Sequence, residues 1–588
     1  MTDPTHASPA GWYGHPRQLA RLFATEMWER LGFYGMRALL VLYLTKHFVL
    51  GDHAAAGIYG GYMALVYLTP LLGGLVADQY LGSKRSVRFG AVLMALGYFT
   101  MAFGGAPARP WIAIDGRQME IVRSGFHDGP TSATGEGRAV VIDGRTLALR
   151  PAGDGGTALV DAGGTVVRSL PAGTGQGASH DQRRLVLLLG ALALVSVGNG
   201  FFKPNISTMV GALYAAGDRR RDAGFTIFYM GINLGSILGQ FACPLLADSI
   251  GWGAAFSLSG IGMIVAWGLV TFDGGRLAGY GETPARPGGD RKWLIGLLAI
   301  AAVPVFVLLF VELMQAPEPV PGAGIGAYLA GLPLMGKLLF GCFAIGVPAI
   351  LAWSFVKGSA QEFRMMLAAM ILISFNTVFW ALFEQAGSSL TLFADRNTDR
   401  SVFGLFTLSA PQTQNFNSLA IVLLAPVVSM AWGWLARRGR EPSTPVKFGL
   451  ALIGVGAGFL LLVLGTRFAD GQYRVALGWL AGLYLIHSLA ELLISPVGLS
   501  MITKLAIPRV VGLMMGMWFL SMSMGEYVAG MVAQVASVKT VGGQVSDPAL
   551  SLATYAAVFA QIGWTAIAVG GVLLLLARPL RRLMHGVS

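Results

Sequence analysis

The chain has 588 residues, 54% of them hydrophobic and only 12% charged, with a mean hydropathy of +0.62, which excludes an ordinary soluble globular protein. The formal net charge of +12 does not signal nucleic-acid binding, because the basic residues gather in short connections between apolar runs. Two cysteines, Cys243 and Cys342, both in apolar runs, exclude a disulfide framework.

Each recurring apolar run, at about 20 residues, is long enough to cross about 30 Å of hydrocarbon. They predict fourteen membrane-spanning helices, near 20–48, 57–77, 86–104, 184–213, 223–248, 253–272, 292–314, 327–355, 363–394, 412–437, 447–466, 473–503, 509–536 and 551–577. Residues 1–16 are polar and lack an h-region or cleavage site, so the first helix is expected to be retained. Eighty-one glycines suit close packing between helices, where small residues let backbones approach. With the N-terminus inside, the short cytoplasmic connections carry Lys84, Arg85 and Arg88, then 219–221, then Arg437, Arg438 and Arg440, and finally the tail at 578–582. That is the positive-inside pattern, which places both termini in the cytoplasm and lets the net charge attract anionic lipid.

The first span carries Glu26, Glu29, Arg30 and Arg37. A central charge costs roughly 2.5–3.5 kcal/mol on insertion scales, so four of them are expected to face a water-filled cavity or one another. By helix geometry these four and Phe33 fall within an arc of about 100°, one face of the helix. Asp78 ends the second span beside Lys84 and Arg85, a candidate salt-bridge cluster gating the cytoplasmic side; a solvated loop that fixes topology fits the same residues.

Residues 105–182 interrupt the helical pattern. They are polar and Gly-rich, and Ile-Asp-Gly-Arg recurs at 114–117 and 142–145, with a looser copy at 159–168. Asp-Gly between alternating apolar residues signals a hairpin, so we expect a small β-rich extracytoplasmic insert; a loop of fluctuating hairpins is the alternative. Beyond it, Lys203 lies beside Pro204 near the end of its apolar run, placed either to pair with Glu26 or Glu29 or to snorkel. The spans at 292–314 and 327–355 hold no charge near their centres and read as peripheral scaffolding joined by the Pro-rich stretch 315–322. In the second half, Glu384 and Glu491 are single acids within long apolar spans. Arg30, Arg37 and Lys203 are the cations of the first half and Glu384 and Glu491 the acids of the second, which gives a basic and an acidic side to any cavity they line.

The pattern Glu26-x-x-Glu29-Arg30, followed by Tyr34, is similar to the proton-coupled oligopeptide transporter family, a branch of the major facilitator fold. Further blocks follow in family order: 73–82, Lys203-Pro204-Asn205, 228–236 with Asn233, 379–385 with Trp380 and Glu384, and 491–500 with Glu491 and Ser495. The resemblance implies an all-α polytopic protein of two six-helix bundles plus two extra helices. Its expected organisation is 1–104 and 183–272 as the N-terminal bundle, 105–182 as the insert, 273–361 as linker with the extra pair, and 362–588 as the C-terminal bundle.

The resemblance further implies a proton-coupled symporter importing di- and tripeptides across a bacterial cytoplasmic membrane. The substrate carboxylate would face the basic side and its amino group Glu491, with Asn233, Asn417, Tyr34, Tyr67 and Ser495 contacting the peptide and Trp380 and Trp518 lining side-chain pockets. Either tryptophan serves equally as packing. Proton coupling falls to Glu26, Glu29, Arg30, Lys203 and Glu384, because a carboxylate beside a cation favours ionisation and one desolvated without it favours the proton. The family pattern has a tyrosine where Phe33 stands. His487, four residues before Glu491, either tunes that acid or simply bonds a backbone carbonyl. Glu526 is a further intramembrane acid with no role indicated by the pattern. The expected partners are peptide, protons and lipid, with no nucleic acid, no metal and no cofactor beyond the proton gradient, for a monomer. Rival readings are a carrier of another zwitterion or drug, and a peptide sensor that uses the insert. His-Glu-x-x-His and Gly-x-Ser-x-Gly are absent from the sequence, which argues against an enzyme.

Overall fold

The computed structural model describes residues 11–585 apart from 125–127, 132–136, 153–155, 172–173, 216–217, 219, 285–290, 318–329, 542–543 and 546. Most of the polar N-terminus, Arg219 and most of the Pro-rich connection lie outside the described residues. Among the described residues, fourteen helices of 20 residues or more lie in the fourteen expected spans: α1 (Arg17–Leu42), α2 (Asp52–Val76), α3 (Ser83–Ala102), α4 (Gln182–Ala212), α5 (Arg220–Ser249), α6 (Trp252–Thr271), α7 (Lys292–Met314), α8 (Leu334–Lys357), α9 (Ala360–Phe383), α11 (Asn415–Arg437), α12 (Thr444–Thr466), α13 (Leu477–Leu505), α14 (Val511–Val535) and α15 (Pro548–Leu583). Eleven of them are long and apolar enough to cross a membrane. The other three, α1, α3 and α14, carry the charges of the first span, the basic turn at Lys84, and several Gly, Ser and Glu526.

One expected span is broken. The run 363–394 is not a single helix: α9 stops at Phe383 and a short α10 (Ser389–Arg396) follows. Glu384 therefore caps α9 rather than lying within a helix. The side chain of Gln385 fills the break, donating to the carbonyls of Ala381 and Ala529 at 3.1 Å each and accepting from Ser389 at 2.7 Å.

The chain forms two compact units. The first comprises residues up to 37, 65–104 and 186–308. Its helices approach closely through glycine: a Cβ on Gly73 would run into the Gly200 carbonyl, and one on Gly239 into that of Leu31. Helix α7 lays Ile295 and Ala299 against Leu81, Leu93, Val197 and Phe201, and little of its surface is buried, as expected of scaffolding.

The second unit comprises 38–64, 105–185 and 309–588. Within it α12 packs on α13 and α15, α9 on α14, and α11 on α13. Residues 38–64, expected in the N-terminal bundle, cluster here for identifiable reasons. Gly60 meets Gly530, where an added Cβ would stand 2.6 Å from the partner Cα. Ser523 donates to the Ala64 carbonyl at 2.8 Å, and Lys46, at the π-helical end of the first span (Tyr43–His47), pairs with Asp395 at 2.7 Å.

The insert is β-structure, as expected. Strands β3 (Val122–Ser124), β4 (Gly137–Ile142), β5 (Arg145–Pro151), β6 (Thr157–Val160) and β7 (Val166–Leu170) form one antiparallel sheet in chain order. Strands β1 (Arg109–Ile114), β2 (Arg117–Glu120) and β8 (Gln176–Ser179) form a second, with β1 central. Both Asp-Gly pairs make the tight turns read from the sequence, with φ of 52° and 74° at Asp115 and Gly116 and 48° and 77° at Asp143 and Gly144. A shared core of Ile112, Ile114, Ile121, Val140, Leu147, Leu149, Leu159 and Leu170 removes the need for disulfides. The insert is pinned at the end of the first span, where Lys46 donates to the Pro130 carbonyl at 2.7 Å and His47 Nδ1 lies 2.9 Å from Asp128.

Candidate functional site

In the first unit the ionisable residues of α1 gather as their spacing predicts. Arg30 Nε lies 3.2 Å from Glu26 Oε1, four residues earlier, and also contacts Glu29 Oε2. All three side chains are buried. Glu26 Oε2, Glu29 Oε1 and Arg30 Nη2 are buried without a hydrogen-bond partner among the described residues. Lys203, half-buried on α4, acts electrostatically on both carboxylates, and its Nζ sits 4.4 Å from the Tyr67 ring centre. The guanidinium groups of Arg30 and Arg37 each lie 5.9 Å from the Tyr34 ring, and Arg30 lies 5.1 Å from Phe33. Phe33 thus replaces a hydroxyl with a π-face that receives the central cation. Asn233 is buried on α5, its amide donating to Tyr229 O at 3.0 Å.

Lys84 has a partner that the sequence did not indicate. It pairs with Asp273, just beyond α6, at 2.9 Å, with Glu282 at 4.0 Å. Arg88 donates to the Val270 carbonyl at 2.9 Å, so the basic start of α3 clamps the C-terminal end of α6. Asp78, in the π-helical turn Ala77–Leu81, and Arg85 are exposed.

In the second unit a polar chain links α9 to α14. Trp380 Nε1 donates to Asn376 Oδ1 at 3.1 Å, Asn376 Nδ2 to Ser521 Oγ at 3.1 Å, and Ser521 to the Trp518 carbonyl at 2.7 Å. The network therefore holds the indole of Trp380 and ends on the backbone of Trp518, whose ring rests on Gly498. On the α11–α13 contact, Asn417 Nδ2 donates to Glu491 Oε2 at 3.2 Å and to Ser488 Oγ at 3.0 Å, joining two of the residues expected at the peptide. Ser495 is exposed on α13, while Glu384 and Glu526 are buried.

His487 takes the plainer of its two expected roles. It bonds the Val455 carbonyl at 3.1 Å and packs among Phe383 and Phe459. Ser488, Asn376 and Asp273 were not singled out from the sequence. Ser488 carried a signal, since it stands one turn before Glu491 on the same face; Asp273 carried none, being 189 residues from Lys84. Among the described residues no group of three or more His, Cys, Asp or Glu could hold a metal.

Known proteins match the chain almost end to end. A model of the POT family matches residues 85–287 and 330–547. The peptide transporter YePEPT of Yersinia enterocolitica is 30% identical, over 99% of this chain and 98% of the relative. The dipeptide and tripeptide permease A of Escherichia coli is 29% identical, over 98% of this chain and 95% of the relative. Among solved structures, a crystal structure of a peptide transporter POT in complex with sulfate superimposes with a TM-score of 0.72 at 28% identity, covering 98% of this chain and 97% of that one. With the charged face of α1 described, these matches establish that the chain belongs to the POT family.

Proposed function

We propose that this chain is a proton-coupled symporter that imports di- and tripeptides by alternating access. The observation that carries the reading is the buried cluster of Glu26, Glu29 and Arg30 with Lys203 in electrostatic reach. Two carboxylates and two cations balance. A substrate carboxylate that joins the cations leaves one negative charge in excess in a desolvated place, and a proton on Glu26 or Glu29 restores the balance. The unpartnered oxygens Glu26 Oε2 and Glu29 Oε1 are suitable places for that proton. Peptide and proton then travel together because either alone leaves buried charge uncompensated.

Arg37 stands on the same face outside that balance, and Tyr34, Tyr67 and Asn233 give the basic half-site its polar contacts. In the other half Glu491 with Asn417 takes the amino end, Glu384 shares in coupling, Ser495 adds a hydroxyl, and Trp380 and Trp518 bound the side chains. Asp78, Lys84 and Arg85 form the cytoplasmic gate, with Asp273 as a further member. The protein acts as a monomer in the bacterial inner membrane, with both termini in the cytoplasm, the insert outside and anionic lipid along the basic connections. The proton gradient is its sole energy source, with no cofactor.

Competition against labelled dialanine uptake in proteoliposomes tests the substrate class. Unlabelled di- and tripeptides are expected to compete, and single amino acids and tetrapeptides to leave uptake unchanged. Competition by non-peptide zwitterions alone would overturn the reading.

A further inference from the structure

We infer that Ser488 is a positioning residue for peptide binding: it fixes the amide of Asn417 so that Asn417 and Glu491 act as one receptor for the amino end of the substrate. The inference rests on the peptide reading above.

Ser488 is fully buried on α13. Its hydroxyl hydrogen is committed to the Tyr484 carbonyl at 2.8 Å, with the Asn417 carbonyl at 3.3 Å as the longer alternative. A hydroxyl that donates there still has lone pairs to accept with. Asn417 Nδ2 supplies the matching donor at 3.0 Å. The same nitrogen carries a second hydrogen, which reaches Glu491 Oε2 at 3.2 Å.

This arrangement settles which way the amide points. An ionised carboxylate only accepts, so the nitrogen of Asn417 must face Glu491. Ser488, already donating elsewhere, requires that nitrogen too. With both N–H groups engaged, the planar amide turns its oxygen away from the pair, as the acceptor for a peptide N–H. A carboxylate accepts about four hydrogen bonds, so a peptide ammonium is received by the same acid beside Asn417. Remove the Ser488 hydroxyl, and Asn417 keeps one anchor about which the amide rotates. The binding geometry then loosens while the proton-coupling cluster on α1 is untouched.

The test is a double-mutant cycle in proteoliposomes, measuring KM and maximal rate for dialanine in the unmodified protein, Ser488→Ala, Asn417→Ala and the double variant. Loss of one positioning hydrogen bond is expected to raise KM about fivefold in Ser488→Ala, with maximal rate changed less than about twofold. In the Asn417→Ala background the same substitution is expected to add nothing further to KM. Ser488→Thr, which keeps the hydroxyl, is expected to restore KM. Additive effects of the two alanines on KM, a loss of maximal rate at unchanged KM, or no change in Ser488→Ala would overturn the inference. Absence of dialanine uptake by the unmodified protein would instead overturn the peptide reading on which it rests.

Discussion

Asp52 at the start of α2 and Arg396 at the end of α10 form a two-point ion pair, with Nη1–Oδ2 at 2.5 Å, Nη2–Oδ1 at 2.7 Å and side chains only 2% and 7% exposed. Asp52 also accepts from the backbone N–H of Val538 at 3.0 Å, and Arg396 donates to the Tyr555 hydroxyl at 3.2 Å. Removing one member of a buried pair strands the other, at a cost of about 3–5 kcal/mol. Arg396→Met is expected to lower the thermal midpoint sharply in detergent, followed in a Cys342→Ala background, because Cys342 is exposed, by a thiol-reactive dye that reports exposure of buried Cys243. The charge-swapped pair Asp52→Arg with Arg396→Asp is expected to recover part of the loss.

The insert begins and ends at neighbouring strands, since Arg109 pairs with Ser179, so a short linker can close the gap it leaves. Replacing residues 108–178 with a brief Gly/Ser bridge is expected to preserve peptide accumulation, because the candidate site residues all lie elsewhere. Thermal stability is expected to fall, because Lys46 loses the Pro130 carbonyl and His47 loses Asp128. Uptake normalised to reconstituted protein, beside a melting curve, separates the two effects.

The Lys84–Asp273 pair gives a pH dependence with a definite sign. Burial works against the Asp273 carboxylate, but the Lys84 ammonium and the backbone N–H groups of Leu277 and Gly275 outweigh it and hold the pKa at about 2. An unfolded aspartate titrates near 3.9, so the native state binds the proton more weakly. The stabilisation is fully present above that value and is lost as pH falls through about 2. Lys84→Met is expected to melt earlier than the unmodified protein at pH 7. The difference should shrink as the pH falls from about 4 through about 2, because the unfolded aspartate takes up its proton first and native Asp273 then follows, which removes the interaction from the unmodified protein as well.

Backbone contact through glycine is expected to be unforgiving at Gly73 and tolerant at Gly190. A Cβ at Gly73 meets the carbonyl of Gly200, whereas one at Gly190 meets nothing within 4 Å. Gly73→Ala should destabilise by about 1–3 kcal/mol through overpacking. Gly190→Ala should be neutral or stabilising by up to about 1 kcal/mol through helix propensity. Melting curves of the two variants side by side provide the comparison.

Much of this architecture was legible in the sequence because membrane helices and Asp-Gly hairpins are local signals. Length and apolarity located the helices, the 100° spacing put Glu26, Glu29 and Arg30 on one face, and the two Asp-Gly pairs marked turns that the structure shows with positive φ. The break after Glu384 was not legible, because Ala386, Gly387 and Ser388 do not interrupt apolarity enough to end a span. Long-range partners were not legible either. Lys84 lies close in sequence to Asp78, yet Asp273 holds it, and nothing in the composition assigns Asp395 to Lys46 across 349 residues. Charge type and period are written along the chain, whereas the choice among several acids is made by packing.

The most direct test of the account is uptake of labelled dialanine into proteoliposomes under an inward proton gradient, with Glu26→Gln beside the unmodified protein. The unmodified protein is expected to accumulate peptide above its external concentration and to lose that accumulation with a protonophore, and Glu26→Gln to fail to accumulate. Equal accumulation by Glu26→Gln, or no flux through folded unmodified protein, would contradict the account.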